Sequence, residues 1–220
     1  IPPGPAHVDG VWSAGMPNGS LDELVVVVGV MGSLLSDFAV RAVPKSNIRA
    51  NVINRLPFPR ADTLSLHLRI RVLRLNCLTS AYQGIWGAAL PHDVTEHTWT
   101  GGLNYEGRPR LGEVSPMWTM DSPLRRASDR RQALVEIDAI VGIMMGLTAE
   151  ELCTVYRTQF AVLHGYDRSK YVYDANGRQL PTPILQLWRR KGLDETSNDG
   201  MTPEERTHTN PSGNTYVYAL

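Results

Sequence analysis

The chain has 220 residues, 42% hydrophobic and 20% charged, with 22 basic side chains balanced by 22 acidic ones. This composition excludes an intrinsically disordered chain, which has fewer apolar residues and a larger net charge, and the length suits one large domain or two small ones. Two cysteines, Cys77 and Cys153, exclude a disulfide framework and point to a reducing, cytoplasmic compartment, with both thiols read as buried among helix residues.

The chain opens Ile-Pro-Pro-Gly and closes in Tyr-Val-Tyr-Ala-Leu, as expected of a segment of a longer protein, and no signal peptide pattern is visible. Residues 1–20 read as a lead-in loop. Ser20 and Glu23 form a capping box, and apolar residues at helical spacing predict a helix from about 21 to 42. Asp37 and Arg41 lie four apart on its surface and can pair. The apolar stretch Leu24–Leu35 is shorter than the roughly 20 residues a bilayer requires, so it reads as a buried helix and no membrane partner is expected.

Ile48–Leu56 reads as a short strand or extended segment that Pro57 and Pro59 end, because proline cannot donate to a ladder. Asp62 or Thr63 can cap a second helix, running to about Ala89. Residues 91–121 form an irregular loop insertion holding Trp99, Tyr105 and Trp118. Ser122-Pro123 fits the start of a third helix that ends near Gly146. Thr148 and Glu151 make a second capping box and open a short helix to about 158. Turn signals follow at Asn176-Gly177 and Asn214, with strand-like runs at 171–173 and 216–218. The expected class is α+β, helix-rich, with about four helices and a few short strands or hairpins, in a single domain over 1–220.

No Gly-x-Gly-x-x-Gly follows a strand, and no phosphate-binding loop occurs. His92, Glu96 and His97 match no strong zinc spacing and read as surface polar residues. Asn210-Pro211-Ser212-Gly213 reads as a turn. No catalytic, cofactor-binding or metal-ligating residue is therefore assigned. Charge is unevenly spread: residues 41–74 hold Arg41, Lys45, Arg49, Arg55, Arg60, Arg69, Arg71 and Arg74 against Asp62 alone. Such a segment is either an electrostatic footprint for phosphate or a solvated helix face with scattered ion pairs. Arg125, Arg126, Arg130 and Arg131 form a second cluster near a helix start, beside Asp121 and Asp129, with the same two readings open.

Three stretches carry a family resemblance. Gly-Ser-Leu-Leu-Ser-Asp-Phe-Ala-Val-Arg (32–41) precedes a polar connection and Leu-Pro-Phe-Pro (56–59); residues 130–141 follow later, and then 146–152 with 156–160. In this order they resemble the C-terminal region of large DNA adenine-N6 methyltransferases, including fused type IIG restriction–modification enzymes and related phage-defence methylases. Ser33, Asp37, Arg41 and Leu56 to Pro59 match the family pattern, and Phe38 stands where the family often has tyrosine. The resemblance implies a DNA target-recognition region whose methylase domain lies upstream in the same chain, with S-adenosylmethionine expected in that parent and a fused endonuclease an open question. It implies double-stranded DNA as partner, with Lys45, Ser46, Asn47, Arg49, Arg55 and Arg60 around the rigid proline step facing the duplex. Arg125, Arg126 and Arg130 are further DNA-contact candidates, and Gln83, Trp99 and Tyr105 weaker ones. Leu56–Pro59 as packing, with Phe58 a core plug, is the competing reading of that step. A helical docking or scaffold domain of a defence complex is the alternative function.

Overall fold

Ser20 opens the first helix through a side-chain cap. In the computed structural model, which describes residues 19–42, 50–59, 63–193 and 200–219, the Ser20 hydroxyl accepts from the Glu23 amide and the Glu23 carboxylate from the Ser20 amide. Helix α1 (Leu21–Met31) stops at Gly32 instead of running to 42, and α2 (Leu34–Arg41) leaves at a 61° bend. The break has two causes. The Ser33 hydroxyl caps α2 by accepting from Ser36, and Asp138, 104 residues away, accepts from the Leu34 amide at 2.7 Å. Val25 and Val30 before the bend and Leu35 after it enter the same core, so apolar spacing alone reads straight through.

The extended segment expected at 48–56 is instead helical over α3 (Ala50–Ile53). Leu56 is buried and Phe58 is 43% exposed, so Leu56, not Phe58, plugs the core here. The second expected helix is also broken. Helix α4 (Leu64–Asn76) ends at Cys77, a 3-10 turn covers Ser80–Tyr82, and α5 (Gln83–Ala89) follows. Thr63 precedes α4 in helical conformation and caps nothing, and Asp62 lies outside the described residues. The loop ends α4 by taking its last carbonyls: the Leu124 amide donates to Arg74, and the Trp118 indole to Cys77 at 2.7 Å. Within this loop, Gly112 passes so close to the Val94 carbonyl that a Cβ would lie 1.9 Å from its oxygen.

Helix α6 (Ala127–Met144) starts four residues later than Ser122-Pro123 suggests. Ser122 instead accepts from the Thr119 amide in the preceding turn, and the Ser128 amide donates to Gly177. Gly146 ends α6 with a positive φ of 78°, and Thr148 and Glu151 cap α7 (Ala149–Gln159) as expected. Cys77 is buried, which pushes its thiol up to about 11, but Cys153 is exposed on α7, against expectation.

Two helices were not anticipated: α8 (Ala161–Ser169) and α9 (Thr182–Arg190). Neither opens with a side-chain cap. Strands β1 (Thr207–Thr209) and β2 (Thr215–Val217) pair antiparallel around a turn in which Asn210 accepts from the Ser212 and Asn214 amides. Of the strand expected at 171–173, a single bridge between Tyr173 and Gln179 remains. The helix-rich reading holds, but eight α-helices of seven residues or more stand among the described residues where about four were expected. The main core joins α1, α2, α4, α5 and α6; a smaller one gathers Leu180, Ile184, Leu185, Trp188, Met201 and Tyr218.

Candidate functional site

The basic segment 41–74 divides sharply. Arg69 pairs with Asp22 at 2.7 Å. Arg71 is 2% exposed; its Nε donates to Glu136 at 2.6 Å, and its other nitrogens to the His67 and Thr98 carbonyls. Arg74 is 1% exposed and donates to the carbonyls of Arg110, Leu111 and Ser122. Burial pulls Arg74 down to about 10, partly offset by the charge of Asp129. Arg41 forms the expected pair with Asp37, both bonds 2.9 Å, and its guanidinium lies 4.7 Å from the Phe160 ring centre. A guanidinium enclosed by carbonyls and a carboxylate cannot reach a phosphate, so Arg71 and Arg74 leave the phosphate footprint, and Arg69 is committed to Asp22. Arg55 is exposed just after α3. Lys45, Ser46, Asn47, Arg49 and Arg60 lie outside the described residues.

The second cluster also divides. Arg130 is half-buried and donates to the Leu75 and Leu124 carbonyls, and burial lowers its pKa. Arg125 is exposed and reaches the Leu78 and Met120 carbonyls; Arg126, also exposed, occupies the N-cap position of α6. Trp99 and Tyr105 are held inside the fold, Trp99 by the Pro109 carbonyl and Tyr105 by Asp129, while Gln83 is exposed. His97 is not a surface residue: it is 3% exposed, with Nδ1 3.0 Å from His67 Nδ1 and Nε2 3.2 Å from Asp93. Among the described residues no group of three His, Cys, Asp or Glu could hold a metal ion.

The three resemblance stretches meet at one place. A pocket of about 440 Å³ is lined by Gly32 and Asp37 from the first, Arg130, Arg131 and Asp138 from the second, and Phe160 from the third. Tyr171 and Tyr173 form a further wall. Arg131 makes a two-pronged contact with Asp167, which also accepts from the Tyr156 hydroxyl; burial and that carboxylate push Tyr156 up to about 12. The pocket is thus a mostly apolar, aromatic-walled concavity whose arginines are already partnered, suited to recognition by shape.

Asp138 is the carboxyl of the site that burial shifts most. Burial raises its carboxyl from 3.8 to about 6, against the Leu34 amide and the Arg131 charge, which both favour ionisation. An acid with a raised folded pKa retains its proton longer in the folded chain. Its contribution is therefore greatest at low pH and is lost as pH rises from 3.8 to about 6. Asp138→Asn preserves an acceptor for Leu34 and should remove this pH dependence, raising stability at neutral pH. Urea unfolding at pH 4.5 and pH 7 checks this; an unchanged difference between the two would refute it.

Comparison with protein-family models, with curated proteins and with solved structures found no match for the chain.

Proposed function

We propose that the chain is the DNA target-recognition region of an S-adenosylmethionine-dependent DNA adenine-N6 methyltransferase of restriction–modification or phage-defence type. The observation that carries this reading is the convergence of the three resemblance stretches on one pocket. Stretches matched separately, more than 100 residues apart, have no sequence reason to adjoin. Here Asp138 caps the helix of the first stretch, and Arg41 of that helix lies over Phe160 of the third, so residues 32–41 pack with both later stretches. In this reading the region holds the duplex while an upstream domain of the same chain, with its S-adenosylmethionine, takes an adenine out of the stack. The cofactor is assigned upstream, because neither the glycine-rich cofactor motif nor the Asn/Asp-Pro-Pro-Tyr loop of the family occurs in residues 1–220.

Deleting the coding sequence for residues 1–220 from the source genome is expected to abolish N6-methyladenine at one sequence motif, read by single-molecule sequencing. An unchanged methylation pattern would overturn the reading.

A further inference from the structure

Residues 157–191 carry seven cations against Asp167 and Asp174. Neither acid offsets the surface. Asp167 is engaged by Arg131 and Tyr156, and Asp174, 1% exposed, accepts from the Asn176 and Arg178 amides and from the Arg178 guanidinium. Helices α8 and α9 each end in basic residues. The Arg189 guanidinium donates to the Ser169 carbonyl at 2.7 Å and so joins the two helix ends. This brings Arg189 to the chain position between Arg168 and Lys170, with Arg190 next to it in sequence, and all four are exposed at the joined helix ends. The Lys170 ammonium lies 4.2 Å from the Tyr166 ring centre, and Tyr171 meets that ring edge-on. Among the described residues none of the four forms an ion pair.

A cation at a helix C-terminus is favoured by the helix dipole, which accounts for one on each helix. Four at the joined helix ends repel one another, and an extended polyanion offsets that repulsion. Three of the four are arginines, whose planar fork matches phosphate oxygens. We infer that the joined ends of α8 and α9 grip the phosphate backbone of duplex DNA, in place of the buried Arg71 and Arg74 and the paired Arg69. The inference rests on the DNA-binding reading and names the surface that serves it.

The test measures fluorescence anisotropy of the chain with a random-sequence duplex across a salt series. It compares the wild type with R168Q/K170Q/R189Q/R190Q and with R55Q/R125Q/R126Q, each checked for an unchanged thermal melt. Each phosphate contact contributes about 0.9 to the slope of log affinity against log salt. The α8–α9 variant is expected to lose about 2 to 3 in slope and about 10- to 100-fold in affinity at low salt, and the other variant far less. A wild-type slope retained in the α8–α9 variant overturns this inference and leaves the DNA reading standing. A wild type that binds no duplex even at low salt overturns both. Binding to equimolar phosphatidylserine–phosphatidylcholine vesicles, with none to duplex, overturns both in favour of a membrane surface.

Discussion

Glu136→Ala is expected to destabilise the chain by about 3–5 kcal/mol and to lower its melting temperature by about 10 °C. One oxygen of Glu136 accepts from Arg71 at 2.6 Å; the other accepts from the Thr100 amide, the Thr100 hydroxyl and Gln132. Both partners of the ion pair are buried, 2% and 5% exposed at the side chain, between α4 and α6. Removing the carboxylate leaves a guanidinium in the interior with two carbonyls and no counter-charge, and frees two Thr100 donors and one from Gln132. The cost comes chiefly from the unpaired charge, so replacing both members by Arg71→Met and Glu136→Leu should recover much of it. A single-variant loss below about 1 kcal/mol in urea unfolding would show that the pair is not enclosed as described.

The same carboxylate gives an acid limb opposite in sign to that of Asp138. Burial alone would raise Glu136, but hydrogen bonds from Gln132 and Thr100 and the Arg71 charge outweigh it and hold the carboxyl below 4.5. A depressed acid stabilises the folded chain above its ordinary pKa and loses that contribution as pH falls through the folded value. Acidification therefore weakens the α4–α6 contact while favouring protonated Asp138 two residues along α6.

Arg74→Met should open the loop between α5 and α6 and cost about 3–5 kcal/mol, from two buried carbonyls and one half-buried carbonyl losing a charged donor. Arg74 reaches the Ser122, Arg110 and Leu111 carbonyls from α4 and so ties both limbs of the loop to one helix. Hydrogen exchange should rise between 108 and 124 well before the α1–α4 amides respond. Arg74→Lys should recover little, because one ammonium cannot span three carbonyls set around a planar fork. Exchange that rises uniformly across the chain would refute the loop-specific role.

Features that depend on residues within about four positions were legible in the sequence. The capping boxes of Ser20 with Glu23 and of Thr148 with Glu151, the Asp37–Arg41 pair, the stop at Gly146 and the turn at Asn176-Gly177 are all present. Each is closed by the local geometry of a helix or turn, so spacing and residue type suffice. The break at Cys77 was not legible, because its partners Leu124 and Trp118 come from remote parts of the chain; at Gly32 the Ser33 cap is local, but Asp138, which completes it, is remote. Charge followed the same division. The cationic surplus over 41–74 can be counted in the sequence, as can the one over 157–191. Only packing decided that Arg71 and Arg74 point inward to Glu136 and to loop carbonyls while Arg168 and Arg190 face outward. The sequence by itself determined the two capping boxes, the local turns and how much charge each segment carries, since those are short-range properties. The tertiary structure decided which charges remain available to a partner, because a buried cation takes whatever acceptors the fold brings to it.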